Sequence, residues 1–187
     1  PNPESVLAFI ENHDTDRFLG EGDNHPMLKQ ASTLLLTTRR IPQLYYGTEI
    51  MMNGVKNKSD GYVRKDFPGG WADDQETALT AEGRSAIQND CYNFYKTILN
   101  WRKGNDVIAK GSMTQFMVQN GVYAYARQHE GKAVFVMLNG TNAETVVPIK
   151  FYKEILKETQ QGKDILTGEA IIFGKYLNMR PRESLVI

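Results

Sequence analysis

The 187-residue sequence contains a single cysteine, Cys91, and that scarcity excludes an internal disulfide and any cysteine-built zinc cluster. It has no excess charge of either sign, since 22 Lys plus Arg balance 22 Asp plus Glu. A nucleic acid or an anionic membrane surface therefore finds no basic field to bind through counterion release, and a neutral ligand becomes the expected partner. No apolar run approaches the roughly 20 residues of a bilayer span, and Pro1-Asn2-Pro3-Glu4 does not read as a signal peptide. An initiator Met is absent too, and an apolar strand begins within a few residues of Pro1, so the sequence reads as cut from something longer. What is there is ordinary globular composition, 41% hydrophobic and 24% charged, enough for a buried core.

Two regimes of periodicity divide the chain. Ser5 to Ile10 is a continuous apolar run, as in a strand covered on both faces. After a polar stretch, Pro26 opens a segment with Met27, Leu28, Ala31, Leu34 and Leu35 at helical spacing, closed by Arg39 and Arg40. Pro42 and the run Leu44-Tyr45-Tyr46 read as a second buried strand, broken by Gly47, which makes a strand–helix–strand unit with parallel strands. Thr48 to Asp74 is an irregular excursion, and a second helix begins at Thr80, carries Ile87, Cys91, Phe94, Tyr95, Ile98, Leu99 and Trp101 on one side, and stops at Gly104. From about Lys110 the period changes to two. Asn120-Gly121 and Glu130-Gly131 separate β-rich runs as hairpin turns, and further short strands follow at Val146–Ile149, Asp164–Leu166, Ala170–Phe173 and Leu185–Ile187. A first domain over residues 1–107 and a β-sandwich over 108–187, in which Phe116, Met117, Tyr123, Tyr125, Phe135 and Met137 are core positions, are the expectation.

The chemistry-bearing residues, Asn12, His13 and Asp14, follow directly on the first strand. At the C-terminal end of a parallel barrel strand they would stand where barrel enzymes place their catalytic groups. A carboxylate beside an imidazole can bind a metal, act as an acid or base, or hold the hydroxyls of a polyol. No second His lies at ligand spacing, so no metal site is assigned. Helix capping by Asp14 or Asp16 is the structural alternative.

FIENHD (Phe9–Asp14) resembles the fourth short conserved region of the alpha-amylase family, glycoside hydrolase family 13, at the end of its seventh barrel strand. IPQLYYGTE (Ile41–Glu49) is similar to the family's eighth strand, Leu99, Trp101, Arg102 and Gly111 to the end of its eighth helix, and GKDILTGE with the terminal SLVI to its C-terminal domain. NHDTDRF together with RKDFPGGW further resembles the neopullulanase and cyclomaltodextrinase branch. The fold this implies is α+β: the last two βα units of a (β/α)₈ TIM barrel followed by an antiparallel β-sandwich.

The resemblance implies a retaining hydrolase of α-1,4 glucans, namely maltooligosaccharides, pullulan or cyclodextrins, in which Asp14 and His13 contact the sugar ring before the scissile bond. The nucleophile and the proton donor of the family lie on earlier strands, so the chain alone is expected to be inactive. Substrate contacts are expected from Asn12, Arg17, Asp60, Arg64, Phe67 and Trp71. Arg17 has the alternative of pairing with Asp16 or with a carboxylate of the missing barrel, and the loop of Phe67 and Trp71 that of being pinned by its own aromatics. The expected partners are a neutral α-glucan and either the rest of the barrel or a second copy covering the exposed strand edges. No cofactor is expected within these residues, although the family commonly binds calcium upstream, and the resemblance implies a periplasmic or extracellular bacterial enzyme. A non-catalytic module, whose sandwich binds carbohydrate or stabilises a barrel, is the competing reading.

Overall fold

A computed structural model of the chain describes residues 5–187, so the reading of Pro1–Glu4 lies outside the described residues. The chain divides into two compact units, one running to residue 35 with 40–96, the other made of 36–39 with 97–187. The expected boundary after residue 107 falls within the second unit.

In the first unit, Leu7–Ala8 (β1) and Ile41–Pro42 (β2) pair in parallel, and His25–Thr37 (α1) connects them. The order and the parallel pairing agree with the sequence reading, but the extent does not. Each strand has two residues, and β2 ends before Leu44-Tyr45-Tyr46. Nor is β1 covered on both faces: Leu7 is 52% exposed, with Val6, Phe9, Ile41, Leu44 and Tyr46 exposed around it. An apolar run becomes a long buried strand only when neighbours supply ladders and layers, and here each strand has one short partner.

Asn24 caps α1 by accepting from the Met27 N–H at 3.2 Å, which puts Pro26 one position further into the helix than the sequence suggests. Ala86–Arg102 (α3) starts six residues after Thr80, because Ser85 and Gln88 form a reciprocal cap. The Gln88 N–H donates to Ser85 Oγ at 3.3 Å and the Ser85 N–H to Gln88 Oε1 at 2.9 Å. Cys91, Phe94, Tyr95 and Ile98 form the buried stripe of α3, whereas Ile87 and Leu99, expected on the same side, are exposed; burial pushes the Cys91 thiol up to about 12. Between the helices, the irregular stretch holds a 3₁₀ turn at Thr48–Ile50 and one turn of helix at Asp60–Val63 (α2), capped by Ser59. Gly104, at φ +79°, ends the helical hairpin arm before Asp106–Lys110 (α4).

The second unit is built on an antiparallel sheet of Ser112–Gln115 (β3), Val122–His129 (β4), Lys132–Asn139 (β5) and Ser184–Val186 (β10), in the order β10-β5-β4-β3. Thr145–Pro148 (β6) pairs with Tyr176–Met179 (β9), and Gln161–Lys163 (β7) with Ala170–Ile172 (β8). A helical segment, Lys153–Leu156 (α5), lies between β6 and β7. Strand β9 has no counterpart in the sequence reading, and β7 precedes the expected Asp164–Leu166. Both hairpin dipeptides turn as expected, with positive φ at Asn120, Gly121, Glu130 and Gly131.

The strands β4 and β5 are buried on both faces. Val122, Ala124, Ala126, Phe135 and Met137 pack with Val147, Tyr152, Met179 and Leu185. Tyr125, Val134, Val136 and Leu138 face the other way, onto Val107 and Ile108 of α4. The expected core therefore splits into two clusters, and Met117 leaves it, at 83% exposed. That residue lies beyond the end of β3, where the pleat no longer fixes which way a side chain points.

The GKDILTGE stretch is held by Asp164, which is fully buried. Its carboxylate accepts from the N–H groups of Val186 (2.9 Å), Leu166 (3.4 Å) and Thr167 (3.1 Å) and from the Thr167 hydroxyl (2.8 Å). Replacing it leaves those donors without their acceptor. Asp164→Ala should lower unfolding free energy by about 3 kcal/mol and Asp164→Asn by less. A urea denaturation midpoint unchanged in Asp164→Ala would show that the turn does not anchor β10.

Candidate functional site

The site starts from the turn after β1. Asn12 Oδ1 accepts from the Asp14 N–H at 2.8 Å, and the Asn12 N–H donates to Thr15 Oγ1 at 3.0 Å. Residues 12–15 thus close on themselves, which is the ordinary behaviour of Asn and Thr side chains near their own backbone. Helix capping is overturned as the role of Asp14 and Asp16: α1 starts at His25 under Asn24, and Asp16 Oδ1 accepts from the Lys56 N–H at 2.6 Å.

The turn leaves its two chemical groups in the open. The Asp14 and His13 side chains are 62% and 59% exposed, with His13 Nε2 3.1 Å from Asp14 Oδ2. Arg64 reaches them from 50 residues away. Its Nε donates to the His13 carbonyl at 3.0 Å and its Nη2 to Asp14 Oδ1 at 3.1 Å, and the same Nη2 lies 3.1 Å from Asp60 Oδ2. Asn12, His13, Asp14, Asp60 and Arg64 are therefore one cluster. A guanidinium holding two carboxylates, with an imidazole alongside, offers several acceptors and donors to vicinal hydroxyls.

Phe67 and Trp71 are positioned by a separate turn, in which Asp74 Oδ2 accepts from the Gly69 and Trp71 N–H groups at 2.7 and 3.1 Å. Phe67 is half-buried. Trp71 is 64% exposed, so a side-chain carboxylate, rather than the indole packing inward, fixes this loop.

Arg17 is not on the surface with the others. It is 2% exposed, and its Nη1 donates to Glu11 Oε1 (3.3 Å) and to the Tyr46 carbonyl (2.6 Å), while Nε donates to the Val63 carbonyl at 3.0 Å. The guanidinium also lies 3.9 Å from the centroid of the Tyr45 ring. Glu11 completes the group by accepting from the Phe18 N–H and the Thr48 hydroxyl. Within the chain the carboxylate partner of Arg17 is Glu11 and not Asp16, and the Arg17 Nη2 is buried without a hydrogen-bond partner among the described residues. Sequence reasoning missed Glu11, whose only signal is a carboxylate placed directly after an apolar run. Among the described residues, no group of three or more His, Cys, Asp or Glu side chains could hold a metal ion, and no helix is long and apolar enough to cross a membrane.

Comparison with known proteins follows the same division. Residues 113–187 match the cyclo-malto-dextrinase C-terminal domain family. Over 172 residues the chain is 30% identical to an alpha-amylase of Niallia circulans, covering 88% of this chain and 29% of that protein. It is 32% identical over 168 residues to a cyclomaltodextrin glucanotransferase of Thermoanaerobacterium thermosulfurigenes, covering 86% of this chain and 21% of the relative. The solved gamma-cyclodextrin glucanotransferase of alkalophilic Bacillus clarkii superposes with a TM-score of 0.73 at 25% identity, over 99% of this chain and 26% of that one. A Geobacillus thermoleovorans alpha-amylase crystallised with acarbose has the same fold, at a TM-score of 0.74 and 22% identity, over 98% of this chain and 38% of that one. The homologues that match most of the chain are thus alpha-amylases and cyclomaltodextrin glucanotransferases, the enzymes whose family FIENHD and the tail motifs resemble. The chain spans between a fifth and a third of the length of the curated relatives it matches.

The buried pair makes a stability statement. Removing one partner of a buried ion pair costs about 3–5 kcal/mol because the other charge is left uncompensated. Arg17→Met should cost that much in a chemical denaturation experiment, and Glu11→Gln should cost far less in the Arg17→Met background than in the wild type. Additive losses in the double-mutant cycle would show that the two side chains are energetically independent.

Proposed function

We propose that this chain forms the last two βα units of a (β/α)₈ barrel and the following sandwich domain of a retaining enzyme acting on α-1,4-linked glucans. The observation that carries the reading is the open Asn12-His13-Asp14 turn at the end of a parallel strand, gripped by Arg64 from the loop after the next strand. The relatives that match most of the chain, an alpha-amylase and a cyclomaltodextrin glucanotransferase, support it.

In this reading Asp14 and His13 hydrogen-bond ring hydroxyls of the sugar before the scissile bond. As the ring develops oxocarbenium character, those hydroxyls become stronger donors, so their bonds to Asp14 tighten in the transition state more than in the ground state. Asp60 and Arg64 bind hydroxyls of the same chain, and Phe67 and Trp71 offer faces for pyranose rings. Arg17 has a positioning role, because it is enclosed beneath the site. The nucleophile and the acid/base, which in a retaining enzyme stand about 5–5.5 Å apart, are supplied outside these 187 residues. The remainder of the barrel covers the exposed Val6, Leu7, Phe9, Ile41 and Leu44.

Two measurements test this. In a longer polypeptide that carries this chain, Asp14→Asn should lower kcat by about 10³-fold or more, which is about 4 kcal/mol of transition-state stabilisation, with little change in melting temperature. Near-wild-type turnover would favour a non-catalytic module instead. The 187-residue chain by itself should release no reducing sugar from maltooligosaccharides above a buffer blank. Measurable hydrolysis would mean that the catalytic carboxylates lie within it.

A further inference from the structure

The β-rich unit contains a cleft of about 610 Å³ beside the β4–β5 hairpin, lined among others by Trp101, Lys103, Asn105, Asp106, Glu130 and Lys132. We propose that this cleft is a second binding site for a neutral glucan, with the Trp101 indole as its platform and the hairpin tip as its polar wall. The choice of an α-linked glucan rests on the function proposed above, whereas the choice of a neutral polyol rests on the cleft itself.

Its volume lies within the range of about 300–1,000 Å³ found for small-molecule sites. Trp101 is half-buried and packs against the cluster of Val107, Tyr125, Val134 and Val136. The ring is therefore held in place before any ligand arrives, and stacking on it costs little side-chain entropy. A fixed indole suits the apolar face of a pyranose, as it would any flat or weakly apolar surface.

The polar lining narrows the choice. Lys103 and Lys132 are matched in number by Asp106, which also pairs with Lys110 at 3.0 Å, and by Glu130, with His129 alongside, so the cleft does not select a phosphate or a carboxylate by formal charge. Hydroxyls, which both donate and accept, can use the carboxylates and the ammonium groups together. The hairpin tip is also built at a conformational cost. Glu130 is held at φ +48° beside Gly131 at φ +77°, in a position where Asn or Gly is the comfortable residue.

The chain has two tryptophans, Trp71 and Trp101, so their indole N–H signals report separately on the Phe67–Asp74 turn and on this cleft. In an NMR titration of the 187-residue chain with maltoheptaose, we expect the Trp101 indole and the amides of residues 128–132 to shift and saturate together. Trp101→Leu, which keeps apolar packing but removes the platform, should weaken binding at least about tenfold. Lys132→Ala, at an exposed position where folding is safe, should weaken it by about threefold or more. Shifts confined to Trp71, or undiminished affinity in Lys132→Ala, overturn the site. An equal response to cellohexaose overturns the α-glucan assignment. Neither outcome bears on turnover in Asp14→Asn, so a failure of this site and a failure of the proposed function are distinguishable.

Discussion

The Glu11–Arg17 pair is the interaction on which the arrangement around Asp14 depends. Glu11 is the residue immediately before Asn12-His13-Asp14, so fixing its side chain fixes the start of the exposed turn. Arg17 closes the far side and carries the constraint to two other segments, through the Tyr46 carbonyl after β2 and the Val63 carbonyl at the end of α2. Val63 is the neighbour of Arg64, and the position of Arg64 decides where Asp14 is held. Two charges taken out of water are tolerable only when hydrogen bonds satisfy them. Here Glu11 has the Arg17, Phe18 and Thr48 donors, and Arg17 has Glu11, two carbonyls and the Tyr45 ring, with Nη2 alone left without a hydrogen-bond partner among the described residues.

The second unit solves the same problem of buried polarity with neutral and charged side chains bonded to backbone. Asn139 donates to the carbonyls of Ala143 and Arg180 at 2.9 and 2.8 Å and accepts from the Thr141 N–H at 3.0 Å. Arg127 donates to the carbonyls of Gly111 and Thr37 at 2.7 and 3.0 Å, and Asp164 gathers the donors of its turn and of β10. These contacts end strands and orient turns, which apolar packing cannot do because it is indifferent to direction. Burial of β4 and β5 on both faces supplies the bulk of the driving force, and the polar ties specify how the short strands around them are placed.

Local chemistry was legible in the sequence, and distant chemistry was not. Asn120-Gly121 and Glu130-Gly131 announce their turns because a dipeptide carries the whole requirement for positive φ. The cap made by Ser85 and Gln88 was also written in the sequence, and attention to it would have started α3 at Ala86 instead of Thr80. By contrast, the apolar run Ser5–Ile10 says that its residues seek cover without saying what covers them, and so the length of β1 could not be read from it. Glu11 and Arg17 are six residues apart, but the partners that make the pair stable come from positions 46, 48 and 63, and no spacing rule reaches that far. Met117 misled for a related reason: alternation predicts the buried face only while the ladder continues, and β3 ends at Gln115.

The contrast between Arg17 and Arg64 separates stability from positioning. Both are arginines bonded to a carboxylate and to backbone carbonyls, and both bridge the turn after β1 to the region of α2. Arg17 is enclosed, so its loss leaves Glu11 uncompensated in a poor solvent for charge. Arg64 and Asp14 are open to water, where such a pair contributes about 0–1 kcal/mol and is further screened by salt. An exposed guanidinium with Nε on the His13 carbonyl and Nη2 on Asp14 is therefore a weak stabiliser but a definite geometric restraint, since two directional bonds fix both the backbone and the side chain of the turn. The division has a physical logic for the glucan site proposed above. In that proposal the strong, buried interactions lie underneath and stay unchanged when ligand arrives, while the groups that would meet the ligand are held by bonds weak enough to be shared with it.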